Sequence, residues 1–278
     1  MSCLILIRIK LTSNIYATKI VMDFITSILN TIGSGATAYI LASRLRDPQT
    51  RPNTLAGFQM AESGAVPFLT KLAARATAEG DTWLAEKLTI HAADEQRHGQ
   101  IFAHGLKQLG KEVKTAAEIK QQSETKSNIK SNKAKNSSPF FSKFYRDYEP
   151  EALKAENIDW LVFMASTYIL ELDASKDFAR MATALPNDEP KSRNLQQSIL
   201  SVAQDETRHA AYLYAAMQRR LPQIEIDALI SDWRKRKIDA MFAMVGDMIQ
   251  TGGSSRSLVK DGVPTEVDEQ ATPELVEV

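Results

Sequence analysis

The sequence predicts an all-α protein: a four-helix bundle with a long crossover and extra helices at its N- and C-terminal ends. The first observation is that Asp-Glu-x-Arg-His occurs twice, at residues 94–98 and 205–209. The second is that apolar residues around both occurrences recur with the period of an amphipathic helix. The third is that Gly and Pro residues, which mark turns, divide the helical segments into two hairpins of similar length.

At the N-terminus, residues 1–48 are predicted to form a separate segment that contains a helix. Residues 1–21 lack the features of a signal peptide, because Arg8 and Lys10 interrupt their short apolar run. Residues 24–43 carry no charge, so a membrane span must be considered. Their Ser, Thr and Gly content dilutes their apolarity, and we expect a packed helix instead.

The first hairpin is predicted to pair helices at about 50–78 and 81–109 around a turn at Gly80. Glu62 precedes Glu95 by 33 residues, and the midpoint of this interval lies beside Gly80. Folding the hairpin therefore brings Glu62 level with Glu95, roughly 20 Å from the turn at ~1.5 Å per residue.

The second hairpin is predicted to pair helices at about 157–185 and 192–220 around a Pro-rich turn at 186–190. Glu171 precedes Glu206 by 35 residues, and the midpoint again falls in the turn. Each half thus sets a lone Glu beside a Glu-x-x-His, which lies on one face of a helix. A dinuclear carboxylate site in a helix bundle requires this set of residues.

The bundle domain is predicted to span residues 49–250 and to include a further amphipathic helix at 224–250. Residues 110–156 join the two hairpins. Their polar middle predicts a flexible crossover loop, and an aromatic cluster at their end provides contacts for the bundle surface. Residues 251–278, with paired glycines and several acidic residues, predict a disordered acidic tail.

Charge and cysteine content exclude several classes of protein. Lys plus Arg and Asp plus Glu each number 34, so no net charge attracts nucleic acid or an acidic membrane. Cys3 is the single cysteine, which excludes an internal disulfide framework and a four-cysteine iron site within the chain. We therefore expect a cytoplasmic protein without a nucleic-acid partner.

Six side chains are predicted to bind metal. Four carboxylates and two imidazoles without a thiolate suit iron, with manganese or a mixed Mn/Fe pair as open alternatives. Two cations are expected, because four unpaired carboxylates inside a bundle would be very costly. Ordinary surface ion pairs would explain one Glu-x-x-His, but the doubled pattern favours metal. The predicted ligands are Glu62, Glu95, His98, Glu171, Glu206 and His209.

The residues that flank the ligands are predicted to support them. A metal-bound histidine commonly donates its second ring N–H to a carboxylate. Asp94 and Asp205 each precede a predicted Glu ligand, and each can point toward the histidine of the other motif. Arg97 and Arg208 can then neutralise the two aspartates.

The doubled motif resembles the ferritin-like di-iron carboxylate superfamily, whose oxygen-activating members carry Asp/Glu-Glu-x-Arg-His twice. Soluble acyl-carrier-protein desaturases and bacterial multicomponent monooxygenases are most similar in motif, and rubrerythrin-like proteins are also similar. The resemblance covers residues 50–220 and implies a ferritin-like bundle. It further implies terminal or bridging ligands at Glu62 and Glu171, bridging ligands at Glu95 and Glu206, terminal ligands at His98 and His209, and Asp94–His209 and Asp205–His98 pairs.

Three further residues are candidates for roles at the site. Ser175 lies at i+4 from Glu171, where the similar monooxygenases often have a hydroxyl, and Tyr168 lies at i−3. Ser175 could assist oxygen activation or be an ordinary helix serine; Tyr168 could donate protons or electrons or simply pack. His91 lies at i−4 from Glu95 and is either an additional ligand or a structural histidine.

The leading functional prediction is an enzyme, a di-iron oxidoreductase that activates O₂ to hydroxylate or desaturate an apolar small molecule or acyl chain. Phe58, Phe102, Phe178 and Met181, on or beside the ligand faces, suggest the apolar substrate. The rubredoxin-like cysteines of a rubrerythrin are missing, so an external ferredoxin or reductase is expected. A ferroxidase, a rubrerythrin-like peroxide reductase and a non-enzymatic binding bundle stay open, as does a homodimer.

Overall fold

The computed structural model describes residue 35 and residues 37–126, 138–185, 190–250 and 257–263. This part of the chain is an all-α bundle with one small pair of strands. The first described helix, α1, covers residues 37–46. In chain order there follow α2 (Arg51–Ala78), α3 (Thr82–Gln108), β1 (Lys111–Val113), α4 (Ala116–Lys126), α5 (Pro139–Phe144), a 3-10 turn (Pro150–Leu153), α6 (Trp160–Ala184), α7 (Pro190–Gln218), α8 (Gln223–Gln250) and β2 (Val259–Asp261).

Helices α2 and α3 form the first predicted hairpin, with bounds close to those expected. Gly80 has a φ of 83°, a conformation that glycine adopts without a Cβ penalty, and it reverses the chain between the helices. The Asp81 side chain then caps α3 by accepting a hydrogen bond of 3.0 Å from the Leu84 N–H. Local turn chemistry therefore fixes the level at which the two helices pair.

Helices α6 and α7 form the second predicted hairpin. The Asp159 carboxylate caps α6 by accepting hydrogen bonds from the Leu161 and Val162 N–H groups at 2.8 and 3.1 Å. The hairpins pack together through α3 and α7. The predicted turn at 186–190 falls mostly outside the described residues.

Helix α8 confirms the additional helix predicted at 224–250, and it packs on the short helix α5. Trp233 of α8 meets Phe144 of α5 with ring centroids 5.0 Å apart, and both side chains are fully buried. Lys237 of α8 forms an ion pair with Asp173 of α6, and both side chains are buried. These contacts fix α8 and the end of the crossover against the bundle.

The prediction of a loop throughout 110–156 is wrong for its described part. Residues 116–126 form α4, and Pro139 starts α5. Thr115 begins α4 as a reciprocal cap, since its N–H donates to Glu118 Oε2 at 2.6 Å and its hydroxyl accepts from the Glu118 N–H at 3.3 Å. This capping box stabilises the first turn of α4, although the polar composition of the segment predicts a loop. Residues 127–137 lie outside the described part.

The prediction of a disordered tail is also wrong at residues 257–263. Strand β2 pairs antiparallel with β1, with Lys111 opposite Asp261. Leu258 packs against the apolar core, and its N–H donates to Asn53 Oδ1 of α2 at 2.5 Å. Apolar burial and strand pairing therefore order this segment; the rest of the predicted tail lies outside the described residues.

Helix α1 matches the predicted packed N-terminal helix over residues 37–46. Its Ala42 and Leu45 are buried in the core near α2. None of the described helices is both long and apolar enough to cross a membrane. Residues 24–34 of the charge-free stretch lie outside the described residues.

The bundle interior contains two separate apolar clusters. One surrounds the turn of the first hairpin and includes Leu72, Leu84 and Leu213, whereas the other lies at the opposite end and includes Leu55 and Phe102. The ligand positions predicted from the sequence fall between these clusters on α2, α3, α6 and α7. A polar layer is thus enclosed by hydrophobic packing on both sides.

Candidate metal centre

The polar layer brings together all six predicted ligands and His91. Glu95, His98, Glu206 and His209 are at most 3% exposed. The Glu62 and Glu171 side chains are 12% and 13% exposed. Helical periodicity explains the arrangement within each helix, and the matched hairpins align the helices.

The donor atoms form two overlapping groups, within each of which all ligand atoms lie within 4.8 Å of one another. Glu95 belongs to both groups, so its carboxylate can serve two metal positions. The first group is Glu62, Glu95, His98 and Glu206, and the second is His91, Glu95, Glu171 and His209.

In the first group, His98 Nδ1 faces three carboxylates. It lies 3.4 Å from Glu206 Oε1, 3.7 Å from Glu62 Oε2 and 3.9 Å from Glu95 Oε2. This buried nitrogen has no hydrogen-bond partner among the described residues. A buried polar atom normally has one. A cation held among these oxygens would satisfy it.

In the second group, His209 Nδ1 lies 3.4 Å from Glu206 Oε2 and 3.6 Å from Glu95 Oε1. His91 Nε2 lies 3.0 Å from the same Glu95 oxygen and 3.4 Å from Glu171 Oε1. The rings of His91 and His209 stack with centroids 3.7 Å apart. The second group therefore has two imidazoles where the first has one.

The outer nitrogens of the two motif histidines bind carboxylates of the opposite hairpin. His98 Nε2 lies 3.0 Å from Asp205 Oδ2, and His209 Nε2 lies 3.1 Å from Asp94 Oδ2. A ring N–H that donates there leaves each Nδ1 lone pair directed at the cluster. These are the aspartate–histidine pairs that the family resemblance implies.

Arginines of both motifs neutralise the two aspartates. Arg97 and Arg208 both contact Asp205, and Arg208 also lies 3.5 Å from Asp94. Both arginine side chains are partly exposed, so they balance the negative charge of the two aspartates from the protein surface.

The carboxylates are too crowded to be ionised together without a cation. Burial, the hydrogen bond with Glu62 and the neighbouring negative charges raise the pKa of Glu95 far above its usual range. Burial and Glu171 likewise raise the pKa of Glu206. Burial lowers the pKa of the His209 imidazole, but hydrogen bonds with Asp94, Glu171 and Glu206 outweigh burial and raise this pKa to about 11. Two divalent cations would replace these protons, so the donor set fits a dinuclear centre.

Tyr212 orients His91, a contact that was not predicted from the sequence. The Tyr212 hydroxyl lies 2.8 Å from His91 Nδ1 in a buried environment. If the hydroxyl donates to Nδ1, the Nε2 proton points at Glu95; if Nδ1 donates, the Nε2 lone pair faces Glu95 and Glu171 and can bind metal. Tyr212 follows His209 by one helical turn, which is the one signal in the sequence that associates it with the site.

The structure does not bring Ser175 or Tyr168 to the cluster. The Ser175 hydroxyl donates to the Leu172 carbonyl at 2.9 Å, and Tyr168 packs against Tyr214 with centroids 5.6 Å apart. At about 100° per residue, both lie roughly 40–60° to one side of Glu171 around α6. The cavity beside the cluster lies on the other side of Glu171, where Thr167 and other residues of α6 line it.

Gly99, which follows His98, lies at the contact between α3 and α2. A Cβ on Gly99 would collide with the Ser63 hydroxyl, which follows Glu62 on α2. The missing side chain therefore leaves room for the present position of the Ser63 hydroxyl beside the helix that carries His98 and Glu95.

The fold and the site define an all-α protein with a buried His/Glu cluster that could hold metal ions and is compatible with a di-iron site. No family model, curated protein or solved structure matches the chain.

Proposed function

We propose that this protein is a di-iron oxidoreductase of the ferritin-like type that uses O₂ to oxidise an apolar small molecule in the bundle interior. The observation that carries the proposal is the pair of donor groups that share Glu95. Oxygen-rich ligands with imidazoles and no thiolate suit iron, and manganese or a mixed pair is the alternative. When bound, two iron ions would supply the redox chemistry with O₂.

The residues of the chain would orient and isolate the reaction. Asp94 and Asp205 hold the two motif histidines in position, and the apolar clusters would limit access of water from the two ends of the bundle. His91 would be a seventh ligand, positioned by Tyr212. We expect electrons from an external ferredoxin or reductase in the cytoplasm, because the single cysteine leaves no four-cysteine iron site in the chain.

The test begins with the metal content of the purified full-length chain. We expect two iron ions per chain and an oxo-bridge absorption band in the oxidised protein. After anaerobic reduction, O₂ should reoxidise the protein faster than an equal concentration of H₂O₂. Faster reoxidation by peroxide would indicate a peroxide reductase, and an absence of bound metal would overturn the proposal.

His91→Ala tests the additional ligand. Because His91 belongs to one donor group and not the other, we expect one of two metal affinities to fall while the second changes little. Titration with Fe²⁺ under anaerobic conditions measures both. His104→Ala is the matched control, since His104 lies on the same helix, exposed and beside Gln108. Two unchanged affinities in His91→Ala would show that His91 is a structural histidine.

A further inference from the structure

A cavity of about 460 Å³ lies between α2 and α6 and borders the candidate metal centre. Its polar side consists of Glu62, Glu95, Glu171, Glu206 and His91. The volume lies within the range of ~300–1,000 Å³ that is usual for small-molecule sites. A molecule bound there would lie directly against the groups that are proposed to hold metal.

The cavity exists because α2 and α6 stand apart. No Cα atom of α2 lies within 8 Å of a Cα atom of α6. Aromatic pairs bridge the gap at two levels: Phe58 meets Phe178 at 5.3 Å, and Phe68 meets Phe163 at 6.1 Å between ring centroids. Phe58 and Phe68 are roughly 15 Å apart along α2 at ~1.5 Å per residue. The cavity is therefore closed at both ends along the bundle axis.

Small residues widen the space between the two aromatic pairs. Ala61, Gly64 and Ala65 of α2 and Ala174 of α6 line the cavity. A Cβ built on Gly64 would have no atom within 4 Å. Three of the residues that line the cavity are also exposed, and they mark its opening to solvent: Ala61, Gly64 and Phe141.

Beyond the candidate metal ligands, the lining offers no partner for a charged ligand. Apart from the candidate metal ligands, Thr167 is the single polar side chain among the residues that line this cavity. Two divalent cations would balance the four carboxylates and leave no net charge to attract an anion or a cation. Burial of an unpaired charge is costly, so a neutral ligand is favoured.

We propose, on the basis of the proposed function, that this cavity is the substrate site and that it selects a compact neutral molecule of one or two rings. Closure by the Phe58–Phe178 and Phe68–Phe163 pairs disfavours a long acyl chain laid along the bundle. Rings suit the aromatic walls, which favour edge-to-face and offset contacts. Thr167 accommodates one hydrogen-bonding group of the ligand.

The experiment measures binding of three probes to the full-length chain by isothermal titration calorimetry. The probes are 2-naphthol, the anion 2-naphthoate, which has the same rings, and the linear neutral alcohol 1-dodecanol. We expect 2-naphthol to bind with one molecule per chain and at least tenfold more tightly than either of the others. Equal or tighter binding of 2-naphthoate or 1-dodecanol would overturn the proposed substrate class.

Gly64→Leu places a side chain in the cavity opening and should weaken 2-naphthol binding at least tenfold. Gly246→Leu is the matched control, because Gly246 is also a helical glycine with no atom within 4 Å of a built Cβ, and it lies on α8. Equal binding by both variants would overturn the location of the site.

Measurement of metal content distinguishes a failure of the cavity proposal from a failure of the di-iron proposal. Gly64→Leu should retain the metal content of the unmodified protein, because Gly64 supplies no ligand. If the chain binds two metal ions but not 2-naphthol, the cavity proposal fails and the di-iron proposal stands. If it binds 2-naphthol but no metal, the di-iron proposal fails, and with it the cavity's role as a substrate site.

Discussion

Glu95→Gln is expected to weaken metal binding at both positions of the cluster. Glu95 is the residue that both donor groups share, and an amide would lack the negative charge with which this side chain would hold cations at both positions. Loss of a group that merely supports a ligand costs about 10–100-fold in metal affinity, so loss of this ligand should cost more than about 100-fold. Anaerobic titration with Fe²⁺ and metal analysis after gel filtration measure the effect.

Glu86→Gln is the control, because Glu86 lies exposed on the same helix. A second measurement separates ligand loss from misfolding. Without metal, Glu95→Gln should unfold at a higher temperature than the unmodified chain, since it removes one carboxylate from a crowded buried set. With metal bound, the unmodified chain should unfold at a higher temperature than Glu95→Gln. Retention of two tightly bound ions in Glu95→Gln would refute the shared-ligand assignment.

Lys237→Met is expected to destabilise the fold by about 3–5 kcal/mol, because it leaves the buried Asp173 carboxylate without its cation. The pair joins α8 to α6, so α8 should detach before the hairpins unfold. Urea unfolding followed by tryptophan fluorescence is suitable in a Trp83→Phe/Trp160→Phe background, in which the buried Trp233 of α8 is the remaining tryptophan.

Two controls test the cause of this loss. The double variant Asp173→Leu/Lys237→Met should recover most of the stability, because apolar replacement of both members of a buried pair is often neutral. Lys71→Met breaks the exposed pair with Glu156 and should cost at most about 1 kcal/mol. A loss in Lys237→Met no larger than in Lys71→Met would contradict the role of the buried pair.

The parts of the fold that follow from local chemistry could be predicted from the sequence. Gly80 marked the first turn, and periodicity located the long helices and the ligand faces on them. The short pairing of β1 with β2 could not be predicted, because three residues carry no usable periodicity. The capping box at Thr115 lies within a polar segment whose composition predicts a loop.

The site could be predicted where helical periodicity and hairpin spacing determine the geometry. The Glu-x-x-His motifs and hairpin spacing identified six of the grouped donors, and His91 was identified as an alternative. The cavity depends on the lateral distance between α2 and α6, which no pattern within a helix reveals. For the same reason Thr167 could not be predicted as a lining residue, and helical spacing alone left open whether Ser175 and Tyr168 face the cluster.

The reciprocal pairs Asp94–His209 and Asp205–His98 have a consequence for the origin of the chain. Two copies of a single hairpin, related by a twofold axis, would present the same carboxylates, motif histidines and crossed aspartates. The bundle is thus arranged as duplication and fusion of one ancestral hairpin would arrange it, with the crossover as the joining segment. Val202 occupies the position equivalent to His91, so the two halves differ at the centre of the bundle. That difference would allow each donor group to specialise independently of the other.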